Sequence, residues 1–208
     1  MATTIYSLNN IKVQVIWPGS FKIKVVDEKK KNIKEPNYAN AGFCTWLSSG
    51  ASYPVGHLVV DGQVVSNAAT NPNWINLAGK NLTTIIVHNN NSIEMKQVKD
   101  ISKEPNVKYA ISGIPILSKG RTVMSRIEDE GYFGNEMYDT WHNFLGIREG
   151  NLVLVAAKCG RGLMPYLMEV MGMSNCIKLD GGGSFILHSG DLTVKTSENR
   201  RIHNIITW

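Results

Sequence analysis

Two stretches in the last third of the chain carry residue types that could do chemistry. The first is Asp180-Gly181-Gly182-Gly183-Ser184. Three adjacent glycines cost chain entropy in a folded element. They make sense where the backbone turns sharply or a ligand approaches it closely, and successive N–H groups there can form an anion-binding nest. Asp180 ends an apolar run, where a carboxylate can serve as acid, base or nucleophile. A flexible loop before a strand is the open alternative. The second stretch is Cys159-Gly160-Arg161-Gly162. It would sit at a helix N-terminus, where free N–H groups and the positive end of the dipole favour an anion, phosphate above all. Arg161 adds a planar fork of donors matched to phosphate oxygens. A plain strand-to-helix turn with a surface arginine is the alternative here. Neither stretch is a Walker loop or a G-x-G-x-x-G fingerprint.

The elements around them set their relation. Residues 151–157 are continuously apolar after Asn151, as a buried strand requires. A helix is expected over 163–171, with Leu163, Leu167, Val170 and Met171 on one face. Pro165 suits its first turn and Gly172 the position past its end. A short strand follows at 175–179. Strand, helix, strand in this order implies a βαβ unit with two parallel strands and a right-handed crossover. Both glycine-containing stretches would then meet at the carboxyl edge of the sheet, where such units bind ligands.

The rest reads mostly as β. Residues 11–16 and 21–26 alternate apolar and polar around Trp17-Pro18-Gly19-Ser20, the pattern of a hairpin with one wet face. Further short strands are expected at 57–60, 63–65, 83–88 and 107–112, with Asp61-Gly62 as a hairpin turn. Residues 89–106 are polar and leave room for a short helix; 124–142 show no clean period. The fold class expected is α+β: mostly β, with a mixed sheet and a C-terminal βαβ unit carrying the site. The 208 residues fit a single domain, with residues 1–35 as a variable N-terminal hairpin.

Composition narrows the partners. The net charge of +5 is mildly basic and favours small anions without implying nucleic acid. Lys29-Lys30-Lys31 with Lys34 reads as a solvated loop. No aromatic residues interleave with it, which argues against a single-strand stacking platform. Three cysteines do not make a disulfide framework. No signal-peptide pattern opens the chain, and no apolar run approaches the ~20 residues that span a bilayer. A cytoplasmic protein without nucleic-acid or membrane partners is therefore expected, and a homo-oligomer is compatible with the sequence. His57, His88, His142, His188 and His203 lack metal-ligand spacing, so neither metal nor cofactor is expected.

The order Gly160-Arg161, helix, Leu179-Asp180-Gly181-Gly182-Gly183-Ser184, then Arg200-Arg201 before a last strand resembles the phosphodiester glycosidase family. Upstream landmarks agree: Asn40-Ala41-Gly42-Phe43, Pro54-Val55-Gly56 with Asp61-Gly62, Ser112-Gly113-Ile114-Pro115, and Leu145-Gly146-Ile147 with Gly150-Asn151-Leu152. The resemblance implies hydrolysis of a sugar–phosphodiester bond. Asp180 and Arg161 would act in catalysis. Asn40, Gly42, Ser112, Gly113, His142, Gly160, Gly162, Gly181, Gly182, Gly183 and Ser184 would bind a sugar phosphate or a nucleotide-like molecule. Three departures stand out. Cys159 replaces the acid of the family's Asp-Gly-Arg, His142 replaces an arginine, and Ile114 replaces the second glycine of Ser-Gly-Gly-Pro. Only one carboxylate falls in the matched motifs, where glycoside hydrolysis usually uses two. The same fold could instead sequester its ligand uncleaved, or serve assembly with a vestigial pocket. A small cytosolic domain of this kind suits a microbe or a phage.

Overall fold

The computed structural model describes residues 3–8, 11–46, 50–70, 75–132 and 138–208. Strands dominate and form three principal sheets. The seven-stranded sheet runs, in spatial order, Thr3–Leu8, Ile11–Ile16, Asn151–Cys159, Thr140–Arg148, Asn175–Gly181, Ile114–Ser118 and Arg121–Thr122. One five-stranded sheet holds Ile93–Val98, Leu82–His88, Val107–Ser112, Leu58–Val60 and Gln63–Ser66. The other holds Leu192–Lys195, Ile186–Ser189, Asn37–Asn40, Arg201–Thr207 and Lys22–Lys29. Cys44–Trp46 and Ser52–Pro54 make a small separate ribbon.

The long apolar run is buried as its composition demands. Val153, Val155 and Ala157 face one core with Phe144, Met164 and Met168. Leu152, Leu154 and Ala156 face the other, with Ile85, Ile111, Ala39 and Ile206 from the two five-stranded sheets. Because side chains alternate across a strand, a sheet covered on both faces must read as continuously apolar.

Topology departs from the expected βαβ unit. Asn151–Cys159 and Asn175–Gly181 do run in the same direction, but they do not pair. Thr140–Arg148 lies between them and is antiparallel to both. Continuous hydrophobicity reports burial on two faces; it does not report the direction of a neighbour. The tight turn at Glu149 and Gly150, both with positive φ, joins Thr140–Arg148 to Asn151–Cys159 as a hairpin. The connecting helix is shorter than expected: a 3-10 turn at Arg161–Leu163 and an α-helix at Met164–Val170. Pro165 occupies its first turn and Gly172 (φ +74°) follows it. The buried face is Met164 and Met168, while Leu163 and Val170 are exposed.

The N-terminal hairpin is also replaced. Ile11–Ile16 pairs with Thr3–Leu8 and Asn151–Cys159, whereas Lys22–Lys29 pairs with Arg201–Thr207 in a different sheet. Trp17-Pro18-Gly19-Ser20 is thus a corner between sheets. Asp61-Gly62 does turn a hairpin, with both residues at positive φ (+47° and +78°), as a two-residue turn of the I′ kind requires. Residues 89–106 carry the strand Ile93–Val98 and a 3-10 turn at Ile101–Lys103 capped by Asp100, which accepts from the Ser102 amide.

Candidate functional site

The strand Asn175–Gly181 delivers Asp180 to the sheet edge and ends against Thr140–Arg148, with Gly181 opposite His142. A Cβ on Gly181 would lie 2.5 Å from His142 Nδ1 and 2.7 Å from the Trp141 carbonyl. Glycine is what lets the two strands stay in contact there. The chain then turns through Gly182 (φ +56°) into a 3-10 turn over Gly182–Ser184. This loop forms the floor of a cavity of about 400 Å³, whose walls include Phe43, His142, Lys178, Asp180, Glu198 and Arg200.

Asp180 is anchored from behind. Its amide donates to the Ala41 carbonyl (2.9 Å), and its own carbonyl accepts from Asn40 Nδ2 (3.1 Å). Asn40 Oδ1 accepts in turn from the Ile186 amide (2.9 Å) and from Asn143 Nδ2 (2.7 Å). This buried amide pair ties three strands to the loop. Burial raises the Asp180 pKa above the ordinary carboxylate value. The Lys178 ammonium, the Gly181 amide (2.8 Å to Oδ1), the Ser184 hydroxyl and Arg200 all pull the other way.

Positive charge enters the cavity from two directions. Lys178 is fully buried, with its ammonium 4.7 Å from the centre of the Phe43 ring and donating to the Leu179 carbonyl (3.1 Å). The ring face is a favourable seat for a cation removed from water. Arg200 holds Glu198 through Nε (2.5 Å), and both pack on the bare Cα of Gly183, where a Cβ would come within 2.5 Å of either. Glu198 gives the cavity a second carboxylate, one that falls in none of the recognised motifs.

His142 stays neutral. Burial, with the Lys178 charge next, lowers its pKa to about 4. Nε2 contacts the Tyr138 carbonyl (2.9 Å), which requires the proton on Nε2 and leaves Nδ1 a bare acceptor. His142 does line the cavity, but a buried imidazole beside an ammonium does not bring the positive charge of the arginine it replaces near neutral pH. The unfolded chain binds the charging proton at an ordinary histidine pKa and the folded chain only near 4. Stability should thus fall as pH drops from about 6.5 towards 4. A His142→Leu variant should show a flatter acid limb in urea denaturation, and an unchanged limb would contradict this.

The expected site residues divide into three groups. Asp180, Gly181, Gly182, Gly183, Ser184 and His142 share the cavity. Gly160, Arg161 and Gly162 line a different one of about 490 Å³, with Asp139, Lys158 and Cys159. The two glycine stretches flank opposite sides of Thr140–Arg148, since Thr140 pairs with Cys159 and His142 with Gly181. Two strand spacings, about 10 Å, separate them. Arg161 is not brought beside Asp180; with Gly160 and Gly162 it lines its own cavity, at a 3-10 turn that precedes the seven-residue helix. Cys159 is buried, which pushes its thiol up to about 11 and keeps it protonated and uncharged where the resemblance implies a carboxylate.

The remaining residues position rather than line. Asn40 is consumed by the amide network. The Gly42 amide donates to Asn204 Oδ1 (2.7 Å). Buried Ser112 accepts from the His57 amide through Oγ (2.8 Å). Gly113 is where the chain passes from one sheet to another, and a Cβ there would stand 2.5 Å from the Lys178 carbonyl. Among the described residues no group of three His, Cys, Asp or Glu side chains is placed to hold a metal, and no helix is long and apolar enough to cross a membrane.

Lys178, Glu198 and Phe43 line the cavity without being singled out by the motifs. A lysine inside the apolar run Cys176-Ile177-Lys178-Leu179 was a usable signal, because a charge at a buried strand position needs a reason. Glu198 carried none: only folding brings the segment before the last strand over the glycine loop.

A sequence profile of the family described as phosphodiester glycosidase matches residues 24–207. No curated protein matches the chain in sequence. Among solved structures, the catalytic domain of zebrafish N-acetylglucosamine-1-phosphodiester alpha-N-acetylglucosaminidase, auto-inhibited by its pro-peptide, superposes with a TM-score of 0.73 at 15% identity, over 95% of this chain and 76% of that one. A hypothetical protein from Synechocystis superposes with a TM-score of 0.60 at 13% identity, over 99% of this chain and 61% of that one. At these identities the likeness is one of fold.

Proposed function

Because the chain belongs to the phosphodiester glycosidase family, we propose that it is a glycosidase-type hydrolase cleaving the bond between a sugar's anomeric carbon and a phosphodiester. The observation that carries this reading is the pairing, in one cavity on the glycine loop, of two carboxylates (Asp180 and Glu198) with two cations (Lys178 and Arg200). Cleavage by water needs such a set. The water oxygen bonds to the anomeric carbon while the carbon–oxygen bond to phosphorus breaks, its electron pair leaving on the phosphate oxygen. Lys178 and Arg200 stand where that charge develops, in a site partly removed from water, and such stabilisation is worth most there. Asp180 takes the proton of the attacking water. Its raised pKa makes it a better base near neutral pH than an ordinary carboxylate. The products are a free reducing sugar and a phosphomonoester.

Lys178 also governs the protonation of Asp180, since its charge lowers that pKa. A Lys178→Met variant should therefore show its acid limb of activity shifted to higher pH, as well as a lower rate. A limb that stays in place would remove Lys178 from this role.

The direct test is incubation of the protein with a panel of sugar phosphodiesters and sugar-linked or cyclic nucleotides, read by mass spectrometry. Products split at the sugar–phosphate bond, absent with Asp180→Asn, support hydrolysis. Intact ligand released only on denaturation supports the second reading, sequestration on a glycosidase scaffold. That reading is favoured by the protonated Cys159 thiol standing where the family resemblance implies an acid. Neither cleavage nor retained ligand across the panel would count against both.

A further inference from the structure

The expected lysine-rich loop is not uniformly solvated. Lys30 is 3% exposed although Lys29 and Lys31 on either side are in solvent. It opens the 3-10 turn Lys30–Asn32, and its side chain runs inward under the glycine loop. Nζ reaches the Gly183 carbonyl (2.8 Å), the Thr196 hydroxyl (3.0 Å), the Thr196 carbonyl (3.2 Å) and the Phe185 carbonyl (3.3 Å). Thr196 Oγ1 in turn lies 3.0 Å from the Gly182 carbonyl and 3.1 Å from that of Gly183. The Lys30 amide donates to the Arg200 carbonyl (3.2 Å), and the Lys31 amide to Asn199 Oδ1 (3.3 Å).

These contacts fasten two segments that run on from the two ends of the hairpin Ile186–Ser189/Leu192–Lys195, past its last backbone bond from the Thr196 amide to the Phe185 carbonyl (3.4 Å): the loop after Asp180, and the strap of residues 196–200 that brings Glu198 and Arg200 over it. We propose that Lys30 is a positioning residue, a clamp whose ammonium holds the glycine loop against the Glu198–Arg200 strap and so sets the relation between the two carboxylates of the cavity. The clamp rests on the reading that this cavity is the working site.

Three N–H groups serve four oxygens, so the clamp needs its proton to satisfy them. Burial lowers the Lys30 pKa to about 8. Glu198 and Asp180 raise it, while Lys195 and Arg200 lower it further. Loss of the proton as pH rises through that value removes one donor and the charge that strengthens the others. The site should therefore loosen on the alkaline side, while the rest of the fold does not.

The test uses the full chain and hydrogen exchange read by mass spectrometry, with protection corrected for intrinsic rates. Lys30→Met should lower protection at least tenfold in both 181–185 and 196–200, with the core strand Asn151–Cys159 unchanged. Exposed Lys31→Met should do neither. In the wild type the same two segments should lose protection between pH 7 and pH 9, and Lys30→Arg, which keeps its charge, should not. If Lys30→Met does not fold, Thr196→Val, which removes the shared hydroxyl, should loosen both segments in its place. Wild-type protection in a folded Lys30→Met variant, or loosening of one segment alone, would overturn the clamp. With a cleaved substrate in hand, kcat should fall in Lys30→Met and its alkaline limb near pH 8 should move up in Lys30→Arg. Absence of turnover in the wild type would sink the hydrolase reading and leave the exchange result standing.

Discussion

Asp180→Asn should lower turnover of a cleaved sugar phosphodiester by about 10²–10⁴-fold, the usual contribution of a positioned acid or base, and leave the fold intact. Asparagine matches the carboxylate in volume and can still accept from the Gly181 amide and the Ser184 hydroxyl, the two hydrogen bonds that hold Asp180 on the loop. It cannot take a proton from water. The backbone anchors of residue 180, to Ala41 and Asn40, do not involve the side chain. Steady-state rates with the substrate found in the panel, alongside a denaturation curve, decide the matter. A folded Asp180→Asn protein with the wild-type rate would remove this residue from the chemistry and with it the assignment of the cavity.

Asn40→Ala should destabilise the protein by about 2–6 kcal/mol, because it leaves the Ile186 amide and the Asp180 carbonyl buried without partners, each costing about 1–3 kcal/mol. Asn143 keeps the Asn40 and Ile186 carbonyls as acceptors, so its loss is smaller. The urea midpoint should fall with little change in slope. A shift under 1 kcal/mol would show that these groups find other partners. The contrast with Asp180→Asn separates two roles within one cluster: the proposed action on substrate for Asp180, and the position of a neighbour for Asn40. The family resemblance cast Asn40 as a ligand-binding residue, and burial at 1% with its amide hydrogen-bonded on both ends is the physical reason to treat it as a girder.

Legibility in the sequence followed the range of the interactions involved. Local rules succeeded where a few adjacent residues decide the outcome. The Asp61-Gly62 turn needed two positive φ values, and Gly172 one, at places where such residues are cheap. The run 151–157 had to be buried on both faces because it offers no polar face. The glycine loop was legible for the same reason: three glycines in a row at a strand end mark a backbone that turns or is closely approached, and the cavity forms on them.

Pairing partners were not legible. Alternation in 11–16 and 21–26 fixes which side chains face inward and says nothing of which strand lies alongside. The two runs part company into different sheets because Ile11–Ile16 finds the apolar edge of Asn151–Cys159 and Lys22–Lys29 finds Arg201–Thr207.

By itself, then, the sequence determined the family, the mostly-β character and the Asp180 loop, since each rests on residues contiguous in the chain. Tertiary structure alone decided that Arg161 stands apart from Asp180, that Glu198 and Arg200 join it, and that Lys30 reaches the Gly183 carbonyl from 153 residues away. The strand Thr140–Arg148 separates the first pair by two strand spacings. The others converge because burying both faces of the central sheet folds the last strand and its preceding strap back across the glycine loop.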